Sequence, residues 1–558
     1  MKSFYKIIAF GASLTLTSCF STGPNLISVK PENVDNTPLK SVSLSEKELN
    51  NWNQADLLLD TIPGMSVTRT YDELLKRRKA NPVIVAVVDS GIDINHEDLK
   101  GKIWVNKNEK PNNGIDDDNN GYIDDINGWN FLGDVVAENL EFTRIIRDYK
   151  EKFDGKTEAS IQSEDLALFK LYKEAQAEYN KEVLENSQTL SQYEPLLEGI
   201  KEAHIFASKQ LKKEDYTQKE ASGLIANTSE DQNKKQLVVG MYRHIGEGES
   251  FQDFIDGVAD TVEYLKNRKN THYNLELNAR KTLNDDENDI TKTIYGNNQV
   301  GGPDPKLEDA KHGTHVAGII AANRKNKLGS KGIAKHVKIM AVRAVPDGDE
   351  YDKDIALALR YAVDNGAKVI NTSFGKYYSQ HPEWVREAIK YAATKDVLIV
   401  NAAGNESKDL DSVNVYPNDQ TDKIAEVSDN FLTVGALNYE YGSQMVANFS
   451  NYGKDNVDVF APGVKIYSST PLNNYEFLSG TSMAAPSVSG VAAVIRAYYP
   501  LLTAKQVKQI IMDSGNVSKA KVSVGEGSSS AFSDISKSGK MVNLYNAILL
   551  AEKQSTLN

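Results

Sequence analysis

Apolar positions along the chain fall into two rhythms. In the first, short unbroken apolar runs alternate with longer segments in which apolar residues recur every three or four positions. Val83–Asp89 reads VIVAVVD, with no polar alternation, which predicts a strand buried on both faces of a parallel sheet. Val337–Val342, Lys368–Asn371 and Val397–Val400 predict further strands of this kind, and Lys353–Asn365 and Glu383–Thr394 predict helices between them. Alternation of this sort predicts an α/β fold of three layers, a mostly parallel central sheet with helices on both sides.

The second rhythm runs from residue 134 to about 300. Here Glu, Lys, Gln, Leu and Ala dominate, and segments such as SEDLALFKLYKEAQAEYNKEVLENSQ set apolar residues at helical spacing among charges. Two or more long, paired amphipathic helices are predicted, inserted into the α/β pattern. After it the first rhythm resumes and closes with SMAAPSVSGVAAVIRAYY, a helix from Thr503 to about Asp513, and the apolar helix VNLYNAILLAE.

The ends of the chain read differently. Lys2 and Lys6 precede an apolar run from Ile7 to Leu16, too short to span a bilayer as a mature helix. The run closes in Leu16-Thr17-Ser18-Cys19, which resembles a bacterial lipobox, and Cys19 is the only cysteine of the 558 residues. That resemblance implies a signal peptide over 1–18 and a lipid on Cys19, whose acyl chains would hold the protein to a membrane. Residues 20 to about 50, rich in Pro, Asn, Ser and Thr, are expected to be a tether, followed by a short mixed segment ending in the basic cluster KRRK. The formal net charge of −13 argues against nucleic acid as a partner, because phosphate binding needs a basic footprint.

Three short motifs stand at the edges of the α/β pattern. Val87-Val88-Asp89-Ser90-Gly91 puts a carboxylate directly after a buried strand, at the sheet edge where ligand crevices lie. His312-Gly313-Thr314-His315-Val316-Ala317-Gly318 opens a helix of small residues. The His312/His315 spacing is not that of HExxH, so a zinc site is not expected. Gly480-Thr481-Ser482-Met483-Ala484-Ala485-Pro486 places Ser482 at a helix N-terminus near unpaired N–H groups. In the order Asp, His, Ser, these motifs resemble those of the subtilisin-like serine proteases, family S8, over about residues 81–133 and 301–551.

The resemblance implies a serine endopeptidase with Asp89, His312 and Ser482 as its triad and Asn405, in Asn401-Ala402-Ala403-Gly404-Asn405, as an oxyanion donor. It implies that Ser373-Phe374-Gly375 pairs with an extended substrate and that Ala402, Ala403 and Gly404 line the pocket for the side chain before the cut. A binding protein on an inactive protease scaffold is the alternative reading. Between the Asp and His motifs, Gly114–Asp125 carries D-x-D-x-N-G-x-x-D, alternating carboxylates around a Gly turn that suit a hard cation such as Ca2+. The candidate ligands are Asp116, Asp118, Asn120, Asp124 and the Tyr122 carbonyl, and Asp98 resembles a further calcium ligand of the family. The expected organisation is a signal peptide (1–18), tether and N-terminal segment (19–80), first peptidase part with the calcium-like loop (81–133), helical insertion (134–300), second peptidase part (301–551) and tail (552–558). The expected partners are protein or peptide substrates and, through the lipid, a membrane. The expected location is the cell envelope, facing the periplasm or the outside.

Overall fold

A computed structural model describes residues 34–36, 40 and 42–556, apart from 247, 422–424 and 526. The predicted signal peptide and Cys19 lie outside the described residues. Val83–Asp89 (β1), Gly128–Asn130 (β2), Val337–Arg343 (β3), Val369–Thr372 (β4), Leu398–Ala402 (β5), Phe431–Leu437 (β6), Val459–Pro462 (β7), Asn516–Val517 (β8) and Lys540–Met541 (β9) form one nine-stranded sheet. Its order is β8-β9-β7-β6-β5-β4-β1-β3-β2, and only the β8–β9 pair is antiparallel. The chain reverses its direction of winding around β1, between β3 and β4. In doubly wound sheets, the crevice at the carboxyl ends of such strands is where ligands bind.

The unbroken apolar runs are explained by two cores, one on each face of the sheet. Val85 and Val87 face one core with Val316, Ile320, Val488 and Val491, while Ala86 and Val88 face the other with Ile355, Leu359 and Ile389. Neighbouring residues of β1 thus go to opposite faces and both are buried, as a sheet covered on two sides requires.

The helical stretch folds as Glu141–Phe153 (α1), Leu166–Leu211 (α2), Ser229–Met241 (α3) and Phe251–Asn270 (α4). At 1.5 Å per residue, α2 is about 70 Å long, so its two halves find different partners. Its start packs with α1 through Phe142, Ile145, Phe153, Phe169 and Tyr172. Its end packs with α3 and α4 through Ile200, Ala203, Val238, Phe251 and Ile255. Thr228 and Ser250 cap α3 and α4 in capping boxes. Two boundaries differ from the sequence reading. Residues 136–139 already bond to the 347–349 segment of the peptidase part. Residues 273–300 return over that part with one short 3-10 turn at Ala279–Leu283, because Arg280 is held there by Asp354 and Asp285 and Tyr295 enters the second core.

The α/β part after the insertion contributes Lys311–Ala321 (α5), Asp352–Asp364 (α6), Pro382–Thr394 (α7), Thr481–Tyr498 (α8), Ala504–Ser514 (α9) and Leu544–Ser555 (α10). The last residues of the expected tether and the mixed segment after them are folded against the first core. Trp52, Leu57, Met65, Val67 and Leu75 are built into the first core beside α10, and Glu46–Leu49 is a capped helical turn. Short 3-10 and helical turns bury these residues without a regular period, so periodicity did not reveal them. Trp52 is 1% exposed and donates Nε1 to Val464 O at 3.0 Å. Trp52→Ala is expected to lower the unfolding free energy by about 3–5 kcal/mol, read by urea denaturation; a loss within error would show that this segment does not hold the core together.

Candidate active site

Asp89 ends β1 and His312 stands in the first turn of α5. Gly313 lets that helix approach, since a Cβ there would lie 2.1 Å from Gly91 O. Asp89 is 1% exposed, and its Oδ1 accepts from His312 Nδ1 at 2.7 Å and from Ser90 N at 2.8 Å. Burial works to lower the His312 pKa, and the charge and hydrogen bond of Asp89 more than offset it, leaving the imidazole above its ordinary value. His315, one turn on, bonds Glu476 O at 3.1 Å, and burial pushes its pKa down to about 3. It is a neutral packing residue.

Ser482 opens α8 with Thr481. Its Oγ donates to Ser373 O at 3.1 Å, and Ser373 Oγ returns a bond to Ser482 O at 3.0 Å. The serine is therefore tied to the end of β4, and no hydrogen bond joins it to His312 among the described residues. Beside it, Asn405 Oδ1 accepts from Thr481 N at 2.8 Å and from Thr481 Oγ1 at 3.0 Å, while Gly404 N donates to Thr481 Oγ1 at 3.0 Å. With Oδ1 so occupied, the amide Nδ2 is the end of Asn405 left to meet a ligand. The first-turn N–H groups of α8 add donors at the same place.

A cleft of about 190 Å3 joins these groups. One wall is Gly348–Glu350, after β3. The other is Phe374, Gly375 and Tyr377, after β4; Ala402, Gly404 and Asn405 form the floor beyond β5, and Ser482 stands at its end. Ala403 faces a larger neighbouring cavity of about 630 Å3 with Ala402 and Val415. Three strand ends and one helix start thus bring together residues that lie far apart in the chain.

The acidic loop bonds its own backbone through its carboxylates. Asp116 accepts from Asn120 N at 3.1 Å and Gly121 N at 2.8 Å, and Asp124 accepts from Asn113 N at 3.2 Å and Gly114 N at 2.9 Å. Asn120 donates to Asp125, and the Tyr122 ring packs in the second core. The turn satisfies its own backbone with these groups. The carboxylates that converge are Glu109, Asp118 and Asp125, with one oxygen of each within 4.8 Å of the others. Glu109 Oε2 is buried without a partner among the described residues, and burial pushes Asp125 up to about 6 despite bonds from Tyr361, Asn106 and Asn120. An all-oxygen set with an orphaned carboxylate oxygen fits a hard cation, and these three residues could hold one. Of the expected ligands only Asp118 belongs to this group. Asp98 is outside it; its Oδ1 accepts from Asn326 Nδ2, and burial raises its pKa.

Sequence reasoning missed Thr481, which orients Asn405, and also Glu109 and Asp125. Thr481 stood inside the quoted serine motif, and Asp125 closed the quoted acidic run. Glu109 had no local signal, because only the fold of the 110–117 turn returns it to Asp118.

Known proteins resemble parts of this chain. Subtilisin DY of Bacillus licheniformis is 34% identical over 219 residues, covering 39% of this chain and 74% of its own length. A thermophilic serine proteinase of Bacillus sp. (strain AK1) is 40% identical over 205 residues, 37% of this chain and 47% of the relative, so the match spans about half of that protein. A solved cold-adapted subtilisin-like serine proteinase shares 30% identity over 41% of this chain and 74% of its own, with a TM-score of 0.33. The model of the Subtilase family (Peptidase_S8) matches residues 80–532, and the chain belongs to that family.

Proposed function

We propose that this protein is a serine endopeptidase acting through an acyl-enzyme. The observation that carries the reading is the 2.7 Å bond between Asp89 and His312, whose imidazole lines a cavity that shares Val345 with the cleft reaching Ser482. Ser482 Oγ leaves Ser373 O by rotation about its side-chain bond and attacks the scissile carbonyl, while His312 takes its proton. His312 then passes that proton to the leaving amine as the C–N bond breaks, and water hydrolyses the ester by the same path. Asp89 fixes the imidazole tautomer and stabilises the imidazolium. Asn405 Nδ2 and the Ser482 N–H face the developing oxyanion. An extended peptide is held as an added strand between the 348–350 and 373–375 walls. In a catalytic hydroxyl, a long or absent Ser–His bond before substrate arrives is ordinary.

The test is labelling by a fluorophosphonate probe. Wild type is expected to label and Ser482→Ala not; a folded wild type that stays unlabelled would favour the inactive binding scaffold. The acidic group is proposed to hold Ca2+ through Glu109, Asp118 and Asp125, tying the 109–125 loop together. A chelator is then expected to lower the melting temperature, with recovery on adding calcium; no shift, together with no calcium bound in calorimetry, would reject the ion. From the sequence alone, we further propose lipid attachment at Cys19 and a place in the cell envelope. Mass spectrometry of the mature N-terminus tests both.

A further inference from the structure

Behind the cleft, its two walls are joined by the first helix of the insertion. Arg144, in α1, donates Nη1 to Asp349 O at 2.7 Å and Nη2 to Glu350 O at 2.9 Å, so its fork grips the 348–350 wall. Lys376 follows directly on the 373–375 wall. Its Nζ donates to Glu350 O at 2.8 Å and to Glu141 Oε2 at 3.1 Å. Glu141 completes the link, accepting from Arg144 Nε at 2.9 Å and donating its backbone N–H to Asp349 Oδ2 at 2.7 Å. The backbone before α1 runs along the same wall, with Glu138 N on Asp347 O at 2.8 Å and Asp347 N on Val136 O at 2.8 Å. Glu141, Arg144 and Lys376 are each no more than 3% exposed. Charges so deeply buried tolerate little change in geometry, because a partner lost leaves an uncompensated ion. The walls also meet directly, because Lys376 Nζ bonds Glu350 O and pairs with Asp352 Oδ1 at 3.0 Å just beyond the 348–350 wall, and Glu141 and Arg144 brace that contact from the insertion side. The serine end of the cleft is held separately, through Ser373, Thr481 and Asn405.

We propose that Glu141 and Arg144, at the root of the helical insertion, are positioning residues that fix the separation of the two cleft walls, so that binding of an extended peptide depends on the insertion. This rests on the endopeptidase reading and assigns the insertion a part in it. The guanidinium acts through the wall carbonyls and touches no reacting atom. Peptides that span the walls should therefore feel its loss, and small substrates confined to Ser482 should not.

The experiment uses the full chain with Arg144→Gln and Arg144→Lys. Active sites are counted by fluorophosphonate titration, so that misfolded protein drops out. Each variant is then compared on a long internally quenched peptide and on a single-residue ester. For Arg144→Gln the KM of the long peptide is expected to rise roughly tenfold or more, with ester turnover and labelling rate unchanged. Arg144→Lys should recover part of the loss, since it keeps the charge without the planar fork. An unchanged KM per active site overturns the proposal, and so does an equal loss on peptide and ester. If Arg144→Gln yields no titratable sites, Arg144→Lys carries the same two readings. Failure of the wild type to label is a separate result, seen before any variant is made, and it overturns the endopeptidase reading itself.

Discussion

His312→Ala is expected to lower kcat by about a millionfold. The serine hydroxyl is a poor nucleophile on its own, and in this structure it donates to Ser373 O at 3.1 Å, a carbonyl that cannot accept a second proton at neutral pH. Within the proposed triad the imidazole is the group with the basicity to take that proton. Its side chain is 37% exposed, so the open edge faces substrate while Nδ1 is held by Asp89. Activity left in the variant should come from binding and from the oxyanion donors alone, which act without a base. Burst kinetics on an activated ester separate acylation from hydrolysis. Retention of more than a small fraction of the acylation rate would show that another group removes the proton.

The second large effect is expected at Asp89. Asp89→Asn should lower kcat by about 10⁴ and also displace the pH profile. In the free enzyme, kcat/KM falls as pH drops through the pKa of the base, because an imidazolium cannot accept the serine proton. Burial depresses that pKa, and the Asp89 carboxylate raises it above the ordinary histidine value. Removing the carboxylate charge leaves the burial and removes the offset, so the acid limb of the variant should move to lower pH. A profile whose acid limb stays in place while kcat falls would mean that Asp89 acts only by orientation. The two residues belong to one unit, so the double variant should cost little more than His312→Ala alone.

The helical insertion changes how this site is understood as a whole. It sits between the aspartate and histidine motifs in the sequence, and in three dimensions it has cores of its own. Its ends are nonetheless bound to the peptidase part, by Arg144 and Glu141 at one root and by Arg280 with Asp354 and Asp285 at the other. Such buried pairs fix geometry more surely than they add stability. Substitutions that remove one partner at either root should therefore show in melting temperature as well as in substrate affinity, because the partner left behind is an uncompensated buried ion.

The sequence by itself determined the layers and, through its three motifs, the family. Unbroken β-branched runs such as Val83–Val88 mark strands buried on both sides, and each of the three motifs is local, written in adjacent residues at a strand end or a helix start. A motif stays legible in sequence when its members are neighbours. What only the tertiary structure decided is whatever depends on residues far apart in the chain. Trp52 and Met65 turned out to belong to the core because α10 and residues 464–465 close over them. The carboxylates that converge among the described residues are Glu109, Asp118 and Asp125, while Asp116 and Asp124 accept from N–H groups of the turn. Arg144 meets Asp349 and Glu350 across 205 and 206 residues. No periodicity records such a contact, since it is set by how the insertion docks and not by the spacing of its own residues.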